Sequence, residues 1–171
     1  EDGHAGECAL PAPISDRSTL LNTILSDIGL ENQPHGTGAA EVIDRFIQPL
    51  LAASRADARI VREHRLGPPP LAPEVSVLVS LYARCDFVEH QLLKFSRDPE
   101  FRRVELLYLL DSPELEGAAI ALLEDCVELY GVSARLLVAN RNCGYAVINN
   151  LGAKHARAPH LVFLNSDAFP I

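Results

Sequence analysis

Polar side chains that could bind a ligand follow four separate apolar runs of this sequence. The four polar segments are residues 82–86, 111–113, 140–144 and 165–167. Together they supply two arginines, three aspartates and three asparagines. Guanidinium groups bind phosphate, while carboxylate and amide groups bind base edges and hydroxyls. The set therefore suits a ligand that carries a base, hydroxyls and phosphates.

Catalytic and phosphate-binding motifs are missing from the same segments. They contain no His, Glu or Lys placed as a general base, no Ser–His pair and no G-x-S-x-G. The first apolar run, Val75–Leu81, is followed by neither G-x-G-x-x-G nor G-x-x-x-x-G-K. A nucleotide would therefore be held by side chains and loop amides. Binding is better supported than catalysis by these residues.

Cysteine and histidine spacing favours no metal centre. The four cysteines, Cys8, Cys85, Cys126 and Cys143, contain no C-x-x-C pair, which argues against zinc and thioredoxin-like sites. Reduced thiols are expected, with Cys126 in the core and no paired His to make a nucleophile of the others. His155 and His160 lie five residues apart, which does not suit metal ligands on one helix face.

The apolar runs themselves predict buried strands. They cover Val75–Leu81, Val104–Leu110, Ala134–Ala139 and residues 160–164. Their spacing is close to the roughly 30-residue period of a βαβ unit. Because the runs are nearly continuous rather than alternating, they suit strands buried on both faces of a parallel sheet.

Helical patterns lie between these runs. Asp86 and Glu89 form a D-x-x-E capping box before the first helix, and Ser112 with Pro113 suits the start of the second, which Gly131 ends. A third helix is predicted from about residue 145 to 156. Alternating strands and helices predict an α/β fold with a mostly parallel sheet, in which ligands bind beyond the carboxyl ends of the strands.

The amino-terminal third has a different organisation. Helical patterns over residues 18–28 and 41–62, the latter with a kink at Pro49, predict a helical segment over 1–66. Residues 32–38 between them are predicted to be a loop. The proline-rich residues 67–74 predict a linker before a domain at 75–171. The absence of Met and the end of the chain just after an apolar run favour a piece of a longer protein.

Composition excludes several classes of function. The chain has 171 residues, 48% of them hydrophobic, and a formal net charge of −8, which argues against nucleic acid as a partner. No apolar run approaches the roughly 20 residues of a membrane-spanning helix, and no secretory leader is visible. A cytoplasmic location is the expectation.

Residues 75–170 resemble the amino-terminal, nucleotide-sugar-binding half of a family 2 glycosyltransferase with the Rossmann-like GT-A fold. The resemblance rests on four segments in this order: VSVLVSLYARCDFVEHQLLKF, LLYLLDSPEL, NRNCGYAVINNLGAKHA and LVFLNSDAFP. It implies inverting transfer of a sugar from a UDP- or dTDP-linked donor to an acceptor hydroxyl in glycan or polysaccharide synthesis. Residues 1–66 have no such resemblance.

The resemblance also implies site residues. Tyr82 and Arg84 would lie in the loop that wraps the base and ribose, and Asp111 would accept a hydrogen bond from the base. Asn140 and Gly144 would form an N-x-x-x-G turn beside the base and diphosphate.

Two further positions follow from the later segments. Asn150, with Gly152, would match an N-x-G pattern that packs against that turn. Asp167 would be the last acid of a D-x-D-like motif, touching the ribose and a divalent cation, Mg²⁺ or Mn²⁺. One carboxylate is enough for such a cation if the diphosphate supplies other ligands.

The sequence departs from the family pattern in three ways. Asn165 stands at the first acid of D-x-D, and Ser112-Pro113-Glu114 replaces an acid-rich segment, so that Asp111 stands nearly alone. The catalytic base and acceptor site of the family would lie beyond Ile171.

Structural roles compete with each assignment. Asp111 suits a helix N-terminus, Asp167 and the asparagines suit turns, Asp86 suits a helix cap, and arginines such as Arg84 are often simply exposed. At the level of function, the alternatives are a non-catalytic nucleotide-binding module and a nucleotidyltransferase on a related α/β fold. The latter would need a more basic loop after the first strand than residues 82–86 provide.

Overall fold

Five strands form a single sheet in the computed structural model, which describes residues 47–169. The strands are β1 (Ile60–Leu66), β2 (Val75–Leu81), β3 (Val104–Leu110), β4 (Ala134–Ala139) and β5 (His160–Asn165). The patterns over 18–28 and 32–38, and the first part of the pattern over 41–62, lie outside the described residues. Three predicted strands are confirmed with the same bounds, and the fourth extends one residue further, to Asn165. The predicted burial is wrong for this fourth strand, because β5 lies at the edge of the sheet and most of its residues are exposed.

The strand order across the sheet is β1-β4-β3-β2-β5. Strands β2, β3, β4 and β5 pair in parallel, and β1 pairs antiparallel with β4. The predicted α/β fold with a mostly parallel, Rossmann-like sheet is therefore confirmed.

Four α-helices accompany the sheet among the described residues. They are α1 (Gln48–Ala56), α2 (Phe87–Ser96), α3 (Glu116–Tyr130) and α4 (Tyr145–His155), with short 3₁₀ helices at Pro99–Arg103 and Pro113–Leu115. Gly131 ends α3 in the left-handed conformation at φ 65°, as its position predicts. Within this part of the chain, no helix is both long enough and apolar enough to span a bilayer.

The two faces of the sheet are covered by different helices. On one face, Leu92 of α2 and Leu123 of α3 pack against Val79 and Tyr108. On the other face, Ile148 of α4 packs against strand residues such as Leu109. Cys126 is 3% exposed on the core face of α3, which confirms its packing role.

Strand β1 corrects the predicted helix over 41–62. The helix ends at Ala56, and residues 60–66, which the sequence analysis gave to the helical segment, are an edge strand of the sheet. Strand β1 pairs with β4 along one edge only. Most of its side chains are partly or fully exposed, which is why its sequence, IVREHRL, can carry so many charges. Residues 52–171 fall in one compact unit, which includes β1.

Asp86 and Ser112 stand at the predicted N-cap positions, but neither side chain makes the capping hydrogen bond. Asp86 precedes α2 without accepting a capping hydrogen bond, because its carboxylate pairs with Arg84 instead. Ser112 makes no side-chain cap either, because its hydroxyl accepts a hydrogen bond from the Ala83 backbone N–H at 2.9 Å. Both side chains serve the loop that follows β2.

A buried carboxylate joins the amino ends of the parallel strands. Glu105 of β3 accepts hydrogen bonds from Ser76 Oγ at 2.6 Å, Arg135 Nη1 at 2.5 Å and Arg157 Nε at 2.6 Å. Burial alone would raise its pKa, but the hydrogen bonds hold the pKa below its ordinary value. This network fixes the chain that enters β5.

Candidate functional site

The sheet reverses its direction of growth at β2. The chain adds β3 and β4 on one side of β2 and then returns to add β5 on the other side. In open α/β sheets, the loops at such a switch point diverge and leave a crevice at the carboxyl ends of the strands. In this protein the two loops at the switch point are residues 82–86, after β2, and residues 166–168, after β5, and we refer to the region between them as the crevice.

The loop after β2 contains a strained residue. Ala83 has φ 58°, the only positive φ at a non-glycine position in residues 47–169. The hydroxyl of Ser112, itself 1% exposed, holds the Ala83 N–H. Strain of this kind persists only where surrounding groups enforce it. The enforced turn leaves the ring of Tyr82 62% exposed at the carboxyl edge of the sheet.

Arg84 lies between two aspartates of this crevice. Its Nε donates to Asp86 Oδ1 at 2.7 Å, and its guanidinium lies over the Phe87 ring, 4.5 Å from the centroid. The hydrogen bond to Asp86 raises the pKa of Arg84, and the negative charge of Asp167 raises it further. The crevice thus brings an arginine from one loop near a carboxylate from the other.

Asp167 is exposed in the loop after β5. The backbone of this loop is held from α2, where Gln91 Nε2 donates to the carbonyl oxygens of Asn165, Ser166 and Ala168 at 3.1, 3.0 and 2.9 Å. The sequence analysis missed Gln91. A single amide on the otherwise apolar stripe of α2 was the signal that could have identified it.

Asp111 is buried, with 3% of its surface exposed. Its Oδ1 accepts from the Cys143 backbone N–H at 2.7 Å, and its Oδ2 accepts from the Gly144 N–H at 2.9 Å. The carboxylate therefore fixes the turn before α4. Its predicted contact with a base stays a prediction and would use the lone pairs that these bonds leave open.

Asn140 and Gly144, the two named residues of the N-x-x-x-G turn, contact different parts of the protein. Gly144 has φ 84°, a conformation that favours glycine, and starts α4. Asn140 faces β1: its Oδ1 accepts from the Arg59 N–H at 3.1 Å, and its Nδ2 donates to the Asp57 carbonyl at 3.0 Å. Asn140 thus joins β4 to the chain entering β1, and its role beside a nucleotide stays a prediction.

On α4, the buried asparagine is Asn149 rather than Asn150. Asn149 is 6% exposed and donates from Nδ2 to the Tyr145 carbonyl at 2.8 Å, whereas Asn150 is exposed. Gly152 packs against the sheet so closely that an added Cβ would lie 2.5 Å from Leu109 Cδ1. The glycine therefore permits the approach of α4 to β3.

The cysteines near the crevice are unreactive thiols. Burial, followed by the hydrogen bond to Asp111, raises the pKa of Cys143 to about 12, and burial raises the pKa of Cys85. A thiol with a raised pKa carries little thiolate at neutral pH, so neither residue suits a nucleophile.

Oxygen ligands for a cation are sparse but present. Across residues 47–169, no group of three or more His, Cys, Asp or Glu side chains could hold a metal ion. The exposed carboxylate of Asp167 is compatible with a hard cation that takes most of its ligands from phosphate and water. Such a cation would depend on the bound nucleotide.

Apart from Asn150, which is exposed on α4, the predicted residues follow strand ends at one edge of the sheet, in three places. Tyr82, Arg84 and Asp167 lie at the switch point. Asp111 and Gly144 form a separate turn before α4, and Asn140 joins that side of the sheet to the chain entering β1.

The chain is similar to solved structures but matches no known protein family. No protein-family model matches the sequence, and no curated protein matches it. Among solved structures, the chain is similar to the mannosyltransferase PcManGT of Pyrobaculum calidifontis, solved in complex with GDP-Man and Mn²⁺, at 18% identity and a TM-score of 0.49. The match covers 87% of this chain but only 40% of that chain. The fold assignment above rests on the sheet of this protein itself.

Proposed function

We propose that this chain is the nucleotide-sugar-binding part of a family 2-like glycosyltransferase. Its donor would be a nucleoside diphosphate sugar, with a UDP- or dTDP-linked sugar expected from the sequence resemblance. The acceptor would be a hydroxyl of a glycan or another molecule. Transfer would form a glycosidic bond to the acceptor oxygen and release the nucleoside diphosphate.

The observation that carries this proposal is the switch point between β2 and β5. It brings the loops at residues 82–86 and 166–168 to one crevice at the carboxyl edge of the sheet. Two of the four segments that resemble the family contain these loops. Arg84 and Asp167 supply groups of opposite charge there, and the negative charge of Asp167 contributes to the raised pKa of Arg84.

Each side chain has a role that its chemistry suits. The exposed ring of Tyr82 offers a face for a base. The guanidinium of Arg84 suits a phosphate or ribose oxygen, in exchange for part of its pairing with Asp86. Asp167 would hold Mg²⁺ or Mn²⁺, and such a cation neutralises charge on the departing diphosphate.

Calorimetric titration of the 171-residue chain tests the proposal. UDP, dTDP and GDP are each titrated with and without Mn²⁺, with GDP included because PcManGT was solved with a GDP-linked sugar. We expect at least one nucleotide to bind, and to bind more tightly with metal. Asp167→Ala should remove mainly the metal-dependent part, with a loss of about ten- to a hundredfold in affinity.

Asp125→Ala, at an exposed aspartate of α3, is the matched control and should bind as the wild type does. Absence of binding by all three nucleotides, or equal affinities in the wild type and Asp167→Ala, would contradict the proposal.

A non-catalytic nucleotide-binding module is the second candidate. It is favoured by residues 82–86, 111–113, 140–144 and 165–167 at the carboxyl edge, which include no His, Glu or Lys that could serve as a general base. Because the resemblance places the catalytic base beyond Ile171, the two candidates are separated by the longer protein. A glycosyltransferase releases nucleoside diphosphate from a nucleotide sugar, whereas a pure binding module leaves the donor intact.

A further inference from the structure

Gln91 is an amide in an apolar setting. It lies on α2 among the buried residues Val88, Leu92 and Phe95, and it is 0% exposed. Burying an amide is costly unless the hydrogen bonds that it makes to water are replaced. A leucine would fill such a position without that cost. The buried amide must therefore form hydrogen bonds with polar groups inside the protein.

Those partners are three backbone carbonyl oxygens of one loop. Gln91 Nε2 lies 2.9–3.1 Å from the carbonyl oxygens of Asn165, Ser166 and Ala168. On the other side of the amide, the Tyr108 hydroxyl donates to Gln91 Oε1 at 3.3 Å. The carbonyls can only accept, so the orientation of the amide is determined by its surroundings.

The held carbonyls flank Asp167. Ser166 precedes it and Ala168 follows it, so the backbone is fixed on both sides of the aspartate. The Ala168 N–H also donates to the Asn165 carbonyl at 3.1 Å, which closes the turn. After the turn, the ring of Phe169 contacts Phe87 of α2 edge-on, with centroids 6.0 Å apart. The exposed carboxylate of Asp167 thus lies on a loop whose shape is fixed by contacts with Gln91 and Phe87 of α2.

We infer that Gln91 is the positioning residue for Asp167, and that its two N–H groups hold the loop after β5 in the shape that presents this carboxylate to a nucleotide-bound divalent cation. The inference rests on the proposed function, since that function gives Asp167 its cation. Gln91 itself touches neither nucleotide nor metal. Its effect is therefore confined to the part of the affinity that depends on metal.

Two variants remove the side-chain N–H groups of Gln91 and still fill the space that this side chain occupies. Gln91→Glu keeps the shape of the side chain and replaces the donors with acceptors. Gln91→Met keeps the length with an apolar group and serves if the buried carboxylate prevents folding. Gln48→Glu makes the same chemical change at an exposed glutamine of α1 and is the matched control.

Two measurements on the full chain decide the inference. Amide hydrogen exchange of residues 166–169 should be about tenfold faster or more in the Gln91 variants. Losing about 1.4 kcal/mol of stabilisation raises the open fraction of the turn tenfold, and exchange takes place from the open form. The gain in UDP affinity caused by Mn²⁺ should fall about tenfold, while affinity without metal stays within about twofold of the wild type. Gln48→Glu should match the wild type in both.

Unchanged exchange in the Gln91 variants would overturn the inference. Equal losses with and without Mn²⁺ would also overturn it, because a purely structural role lowers both. A wild type that binds no nucleotide would reject the proposed function and the role of Asp167 with it. In that case the exchange data still show separately whether Gln91 fixes the loop.

Discussion

The carboxylate of Asp111 accepts a hydrogen bond from the backbone N–H of Gly144 at 2.9 Å, which joins the end of β3 to the start of α4. The two residues are 33 apart in sequence. The bond explains how a glycine with φ 84° is held in place. It also means that Asp111 shapes the edge of the sheet whether or not a base is bound.

Replacing Asp111 should destabilise the fold. In Asp111→Asn, an amide NH₂ would face the Gly144 or Cys143 N–H, so a buried donor loses its acceptor. We expect a loss of about 1.5–3 kcal/mol in the free energy of unfolding, measured by urea denaturation. Asp86→Asn is the control, because an exposed pairing with Arg84 is screened by water and should contribute little to stability. Equal effects of the two substitutions would argue against this role of Asp111.

The contact between α4 and β3 predicts a non-additive pair. Gly152→Ala would place a methyl group 2.5 Å from Leu109 Cδ1 in a fully packed region, with an expected cost of about 1–3 kcal/mol from overpacking. In Leu109→Ala the space for that methyl exists, so the glycine substitution should cost less there. Urea denaturation of the double-mutant cycle measures the coupling, and additivity within about 0.5 kcal/mol would contradict the prediction.

Segments buried on both faces were predictable from the sequence, and segments defined by distant partners were not. Apart from Ser76 and Ser80, residues 75–81 are apolar because helices cover both sides of β2, so the sequence alone defined that strand. Strand β1 pairs only with β4 and keeps charged side chains, so its sequence carries little strand signal. Asn140 has its partners at Asp57 and Arg59, about 80 residues away, which no local pattern contains. The same applies to Gln91 and its three carbonyls.

The strain at Ala83 predicts a stabilising substitution. An alanine at φ 58° is disfavoured by roughly 1–2 kcal/mol, a cost that glycine does not bear. Ala83→Gly should therefore raise the free energy of unfolding by up to about 1 kcal/mol, after the entropy of the unfolded glycine is subtracted. Ala121→Gly, at an exposed position of α3, should lower it by about 1 kcal/mol. Thermal unfolding of both variants checks whether the two changes have opposite signs.

Glu63 of β1 predicts acid sensitivity. Burial acts to raise its pKa, but hydrogen bonds from Arg135 and Arg65 outweigh it and lower the pKa from an ordinary 4.5 to about 2. A carboxylate with a lowered pKa stabilises the fold above its unfolded pKa, and that contribution is lost as the pH falls. We expect the loss between about pH 4.5 and pH 2, amounting to at most about 3 kcal/mol.

Glu63→Gln should flatten the stability curve in this acid range, because the group that takes up the proton is gone. Glu124→Gln, at an exposed glutamate of α3, is the control and should keep the wild-type curve. Urea denaturation at a series of pH values measures both. An unaltered acid slope in Glu63→Gln would show that other carboxylates cause it.

The exposed ring of Tyr82 predicts how the proposed donor site distinguishes a nucleotide from a bare diphosphate. The strained turn at Ala83 leaves this ring 62% exposed at the switch point, where its face is open to a base. Stacking of a base on an aromatic ring contributes about 1–3 kcal/mol and needs the ring rather than the hydroxyl. Tyr82→Ala should therefore weaken UDP binding about tenfold or more, with or without Mn²⁺, while Tyr82→Phe stays within about twofold of the wild type. Inorganic diphosphate has no base, so both variants should bind it as the wild type does. Calorimetry measures the affinities of the wild type and both variants for UDP and for diphosphate. An equal loss of affinity for the two ligands in Tyr82→Ala would contradict stacking of the base on this ring.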